Sequence, residues 1–344
     1  MGVGIMLNVR VLGRLQGQFV AIFTTEKSFK NNPLLGSRAA NLMGLHVVRL
    51  ILAKTCFAFR RLLLFRFASA DERSMFRRDG LLVIPDFISA DELDEIHADI
   101  AACLQDVRQL TEGSSTLCRI QMDEKARKDM PAIAKLITSK RYLNLLAYTG
   151  ATLKKSPVLL QRLHHNDTTG TDPQKTPHSD TFQPTMKAWL FLEDVTEQNG
   201  PFHFIRGSHR LSLKRLMWEY RYSLKAKRLT DGHSEHGSSR FTKEDLKQLG
   251  LEAPQPICVH AGTFVIANTH AIHCRGDAQP GSSRLELWTH RRAAPFLPVP
   301  GYSTAAKLER LYRKRSHKWQ RQDKAAQSGT PHPFPKVDRT RLRP

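Results

Sequence analysis

The chain has 344 residues, 40% of them hydrophobic and 25% charged, with a net charge of +21. That balance suits a folded chain of one large domain with appendages or two small ones, and excludes a disordered or fibrous protein. Five cysteines (Cys56, Cys103, Cys118, Cys258, Cys274), odd in number and without a CxxC pair, argue against a disulfide framework or a zinc finger and suit a reducing cytoplasm.

The charge is unevenly placed. Residues 1–70 hold ten Lys/Arg and one acid, residues 303–344 hold twelve and three, and 71–302 is close to balance at +3. The excess therefore concerns what the ends touch, and a nucleic-acid role for the centre is not indicated. Three segments follow: a basic, apolar N-terminal extension (1–70), a main domain (71–302), and a basic C-terminal helix with a disordered tail (303–344). The opening MGVGIMLNVRVLGRLQGQF lacks a basic start leading into a continuous apolar core, so no cleaved secretory signal is expected.

Between 41 and 67 the chain is very apolar but interrupted by Arg49, Lys54, Arg60 and Arg61, too often for a transmembrane helix. At about 100° per residue, His46, Arg49, Lys54, Arg60 and Arg61 share one arc of roughly 140°. Two readings stand: a basic amphipathic helix lying in a membrane interface, giving peripheral contact at the inner face of a membrane, or a helix packed on the main domain.

The main domain opens with FRRDGLLVIPDF from Phe76, in which Gly80 ends a helix and Leu81–Ile84 forms a short strand. Ser89-Ala-Asp-Glu92 is a capping box, predicting a helix to about Leu110, and Pro131 starts another. Beyond 156, short apolar runs are parted by Gly, Pro, Asn and Thr: Val158–Leu163, Met186–Leu192, Phe202–Ile205, Ile257–His260, Thr263–Ala267 and Arg284–Trp288. Short strands at this spacing predict a sandwich or barrel, with helices near 211–225 and 242–249 interrupting it. Gly, Pro and charge over 326–344 predict disorder.

A metal held by two imidazoles and one carboxylate can take two ligands from a short extended His-x-Asp, the third then coming from a distant strand. Fifteen His and eighteen Asp make roughly one His-x-Asp expected by chance, so the motif alone is weak. There are three. His97-Ala-Asp99 falls in the capped helix, where residues two apart diverge by about 200°. His165-Asn-Asp167 and His178-Ser-Asp180 both remain open on this ground, with a modest preference for the second, which follows a Thr/Gly/Pro-rich loop.

Four ordered features carry a family resemblance. Phe76–Phe87 resembles the opening element of the phytanoyl-CoA dioxygenase family. His178-Ser-Asp180 with Lys187-Ala-Trp-Leu-Phe-Leu-Glu-Asp is similar to its metal motif and following strand. Phe204-Ile-Arg-Gly-Ser-His209 resembles its I-P-G-S-H turn, with Arg206 where proline is usual. His273, followed eleven residues later by Arg284, is similar to its distal histidine and oxoglutarate arginine.

The resemblance spans about 76–290. It implies a mainly β fold with flanking helices, a double-stranded β-helix or jelly roll related to the cupins. It also implies iron(II) on His178, Asp180 and His273, and 2-oxoglutarate on Arg284 with Trp189 and Gln161 beside it. The activity implied is a dioxygenase using iron(II), 2-oxoglutarate and O2, supported by ascorbate, which hydroxylates a small molecule and releases succinate and CO2. Retention of Asp180 speaks against the related halogenases, which lack that carboxylate.

His270 rivals His273; the resemblance and the spacing to Arg284 favour His273. His209 is read as structural. Arg275 is either a second anion contact or turned outward. Lys214, Arg215, Arg221, Lys225, Lys227 and Arg228, interleaved with Trp218, Tyr220 and Tyr222, are either a lid for an anionic substrate or a solvated face. The alternative function is an inactive oxygenase-fold binding protein tethered to membrane or nucleic acid by its basic ends.

Overall fold

A computed structural model describes residues 16–166, 172–328 and 332–343. Its strands in chain order are β1 (Leu81–Ile84), β2 (Val107–Glu112), β3 (Ser115–Gln121), β4 (Val158–His165), β5 (Met186–Phe191), β6 (Phe202–Phe204), β7 (Gln255–Ile257), β8 (Phe264–Asn268), β9 (His273–Arg275), β10 (Ser283–Arg291) and β11 (Lys336–Val337). Eight form a sheet in the order β1-β8-β5-β10-β4-β3-β2-β11, and β7-β6-β9 form a smaller one. Every pairing is antiparallel.

Alternation along the strands sends two sets of side chains to two cores. Leu81, Trp189, Phe191 and Val265 of the large sheet meet Phe202, Phe204 and Ile257 of the small one. Leu82, Leu160, Leu190, Phe264, Ile266 and Leu287 point the other way, against helical residues such as Ile96, Ile133, Tyr142 and Leu145. One sheet facing a smaller sheet, with helices behind the larger, is the double-stranded β-helix that the resemblance implied.

Local sequence set several boundaries. Ser89 and Glu92 do close a capping box, but the helix runs Ala90–Ala102 and not to Leu110. Cys103 turns extended, and β2 then pairs with β3. Neither β2, β3 nor β9 was foreseen. Gly80 caps the helix Ala70–Asp79 with φ 72°, and a side chain there would collide with the His209 ring. His209 therefore has the structural role read for it, clamping the Gly-Ser-His turn onto the start of β1.

The C-terminal segment departs from expectation. Ala305–Gln327 is helical as expected, but the stretch expected to be disordered supplies β11, which pairs with β2, and Leu342, which enters the helix-side core. Residues 329–331 lie outside the described residues.

The N-terminal helix Leu45–Leu63 packs on the domain with its cations inward. His46, Arg49 and Arg60 are buried. Arg49 Nε donates to the Ile22 carbonyl (2.8 Å) and Arg60 Nε to that of Ala151 (2.9 Å). The arc read as facing headgroups faces protein instead, because distant segments present carbonyls to it and a buried cation needs acceptors.

Candidate metal centre and co-substrate pocket

His178 and His273 lie side by side on neighbouring extended segments, each backbone N–H donating to the other's carbonyl at 2.9 Å. Asp180 N–H donates to the Thr269 carbonyl (3.0 Å). Alternation then puts His178 and Asp180 on one side. Ser179 points to the other, where its hydroxyl donates to the His270 carbonyl (2.8 Å).

Asp180 Oδ1 lies 3.8 Å from His178 Nε2 and 3.7 Å from His273 Nε2. One ligand atom from each of the three residues falls within 4.8 Å of the others, the one such His/Cys/Asp/Glu group found among the described residues. His178 Nδ1 is 2.8 Å from the Thr176 carbonyl and His273 Nδ1 is 2.9 Å from that of Ala271. A carbonyl only accepts, so in the neutral rings Nδ1 carries the proton and the Nε2 lone pairs face Asp180.

His273 Nε2 is buried without any hydrogen-bond partner. Such an orphan is rare and needs an explanation, which a metal ion would supply. Two imidazoles and a carboxylate are the donor set of a non-haem iron(II) site, so these residues fit the group.

Electrostatics prepares them for it. Burial holds both imidazoles below their ordinary pKa, His273 at about 4 and His178 well below normal, so both are neutral near pH 7. Burial opposes ionisation of Asp180, but the Lys187 ammonium outweighs it and holds the carboxyl below the usual range. Lys187 Nζ is 2.8 Å from Asp180 Oδ2, which leaves Oδ1 to face the histidines. On the backbone side, Lys27 Nζ donates to the Asp180 carbonyl (2.6 Å).

Beside His178 opens a cavity of about 170 Å³, lined by Gln161, Lys187, Trp189, Arg275, Arg284 and Glu286 among others. All three residues expected at the co-substrate therefore line one pocket with a metal ligand. Register explains it: Arg119, Gln161 and Glu286 stand opposite one another across β3, β4 and β10, and Arg284 is two residues from Glu286 on the same face. Trp189 packs on Phe202, ring centroids 4.7 Å apart.

Sequence reading missed Lys187, Glu286, Arg119 and Lys27. Lys187 carried a signal, as a lone charge in the apolar run Met186–Leu192. Glu286 also carried one, being two residues from Arg284. Its carboxylate accepts from Arg284 Nε (3.0 Å) and from Gln161, and Arg284 donates further to the Gly200 carbonyl. Gln161 in turn accepts from Arg119 Nε at 2.9 Å.

The rival residues are placed elsewhere. His270 is fully buried, with Nδ1 3.0 Å from the Thr181 carbonyl, and is not in the metal group. His165 is buried at the end of β4 with Nε2 3.1 Å from the Asn199 carbonyl, and Asp167 lies outside the described residues. His97 bonds to the Leu192 carbonyl on the outside of the sheet, while Asp99 accepts from the Ala132 and Ile133 N–H groups.

Arg275 lines the pocket and donates to Asp172 and Ser115, both at 2.8 Å. Of the six cations in 211–228, none lines the pocket. Arg215 is buried, with Nε on Glu219 (2.9 Å) and Nη2 on the Ser179 hydroxyl (3.2 Å); the other five are exposed. Glu219 also pairs with His46 at 2.9 Å, so the N-terminal helix is wired through buried side chains to the residue between the two metal-motif ligands.

A model of the phytanoyl-CoA dioxygenase family matches residues 76–276 of the chain. Phytanoyl-CoA dioxygenase 1 of Oryza sativa subsp. japonica is 30% identical over 142 residues, covering 40% of this chain and 45% of that protein. The chain thus spans less than half the length of the relative it matches.

Among solved structures, the non-haem alpha-ketoglutarate-dependent epimerase SnoN from nogalamycin biosynthesis is 22% identical, covering 64% of this chain and 81% of that one, at a TM-score of 0.43. HygX of Streptomyces hygroscopicus, solved with nickel and 2-oxoglutarate, is 15% identical over 65% and 86%, also at 0.43. At such scores these likenesses decide nothing about the site.

Proposed function

The chain belongs to the phytanoyl-CoA dioxygenase family, whose members are 2-oxoglutarate-dependent non-haem iron enzymes, and from that premise we propose that it hydroxylates an unactivated C–H bond of a small-molecule, lipid or CoA-linked substrate. The products from the co-substrate are succinate and CO2. His178, Asp180 and His273 would hold iron(II), which with O2 and 2-oxoglutarate supplies the oxidant; ascorbate keeps the metal reduced.

The chain's own residues prepare and shield that site. The carbonyls of Thr176 and Ala271 fix the imidazole tautomers, and Lys187 occupies the outer oxygen of Asp180. Arg284 receives the distal carboxylate of the co-substrate, as a rigid fork of donors suits a carboxylate better than an ammonium does. Glu286 and the Gly200 carbonyl orient that fork, and Arg119 adds positive charge to the same pocket. Trp189 and Phe202 form an apolar wall that excludes water. The retained carboxylate at Asp180 supports hydroxylation over halogenation.

The observation that carries this reading is the convergence of three ligand atoms on one another, with a buried imidazole nitrogen left without a protein partner. The test is conversion of 2-oxoglutarate to succinate by purified protein given iron(II) and ascorbate, slow without substrate. His178→Ala should abolish it, and an unchanged rate in that variant would end the assignment.

A further inference from the structure

We propose that this protein docks on an anionic lipid surface through the outward face of the helix Leu45–Leu63, independently of the activity proposed above. An ordinary surface helix buries its apolar stripe and shows its charges to water. This one does the reverse. The inward stripe holds His46, Arg49 and Arg60 together with Leu50, Ala53 and Phe57. The outward stripe is Val48, Ile51, Leu52, Phe59, Leu62 and Leu63, each 41–64% exposed, at the i, i+3, i+4 spacing of one face.

Other large apolar side chains are exposed on neighbouring segments. Leu42 and Met43 are exposed before the helix, and Phe19, Val20 and Phe23 on the chain that Arg49 ties to it. Phe23 packs against Phe296, ring centroids 6.4 Å apart, and next to Phe296 stand exposed Leu297 and Val299. Six exposed apolar side chains on one face of one helix are uncommon on a protein that works alone in water, and mark an interaction site.

Charge selects the occupant. From Lys27 to Ala70 the chain contains no acid. The helix Leu213–Lys225, whose Tyr220 donates to the Leu42 carbonyl, exposes Lys214, Arg221 and Lys225, and its one acid, Glu219, is buried against Arg215 and His46. Exposed Arg38 and Arg66 flank the stripe.

Apolar side chains on a segment without acids, with exposed Arg38 before them and exposed Arg66 after them, match the headgroup and acyl boundary of an anionic bilayer. A second copy seated face to face would bring the same cations together, which like-charge repulsion opposes. Among the described residues no helix is long and apolar enough to cross a membrane, so the contact is peripheral. It would also lie near the catalytic end: Phe296 stacks on Phe182 (6.2 Å), two residues beyond Asp180, and the Arg49 guanidinium lies 4.3 Å over the same ring.

The experiment is flotation of the full-length protein with phosphatidylcholine vesicles, with and without phosphatidylglycerol. The expected result is flotation with the anionic vesicles, weakened by added salt, and reduced by about tenfold or more in the double variant Leu52→Glu/Phe59→Glu. Both positions are solvent-facing, so the variant should keep its melting temperature and its succinate formation without vesicles. No flotation of the wild type, or equal flotation of the folded variant, would overturn the proposal. So would sedimentation showing a dimer that the double variant dissolves, since a second copy would then cover the face.

Discussion

Glu219 joins three parts of the molecule, and its removal can be worked through. Its side chain is 2% exposed and meets Arg215, 3% exposed, at 2.9 Å and His46 at 2.9 Å. Burial alone would raise its pKa; Arg215 and His46 outweigh that and hold it below the ordinary range, so the carboxylate is ionised. Glu219→Ala leaves the Arg215 guanidinium buried without a counter-charge, which costs about 3–5 kcal/mol.

At roughly 2–4 °C per kcal/mol for a chain of a few hundred residues, the melting temperature should fall on the order of 10 °C. Arg215 also holds the Ser179 hydroxyl, so iron(II) binding should weaken in the same variant. Removing both charges in Arg215→Met/Glu219→Leu should recover much of the stability, because paired apolar replacements of buried ion pairs are often tolerated. Circular dichroism melts read both stabilities, and anaerobic calorimetry reads the iron(II) affinity. A Glu219→Ala melt within about 2 °C of wild type would refute the reasoning that this network fastens the N-terminal helix.

Lys187→Met should raise the dissociation constant for iron(II) by roughly 10–100-fold in anaerobic calorimetry, since it frees the outer oxygen of Asp180; unchanged affinity removes Lys187 from the site. Arg284→Lys should raise KM for 2-oxoglutarate by about tenfold or more with a smaller effect on kcat, measured as succinate formation. The metal-free protein should lose stability as pH falls from about 6.5 to 4. Burial lowers the folded-state pKa of His165 to about 4 and of His209 to about 3, so over that window the unfolded chain binds more protons. Over that window each group loses on the order of 3 kcal/mol at most, a contribution fully present above the ordinary histidine range. Urea titrations across this range check it, and a flat profile would mean these rings are not buried neutral.

Short-range patterns were readable from the chain alone. The capping box at Ser89, the helix stop at Gly80 and six of the short strands follow from spacing and composition, since each depends on residues within a few positions. So did the grouping of His178 with Asp180, because alternate residues of an extended segment share a side.

Choosing among three His-x-Asp motifs needed a resemblance in sequence. The structure adds that only one of them meets a distant histidine among the described residues. Glu286 and Arg119 enter the pocket through register across three strands, which no local pattern encodes.

The N-terminal helix shows the limit most clearly. Its sequence determines two faces, one apolar and one bearing cations. Which face turns inward depends on the carbonyls of Ile22, Ala151, Ala294 and Leu297, and on Glu219, brought alongside from as far as 237 positions away. Those acceptors make burial of the cations tolerable, and only the tertiary structure supplies them.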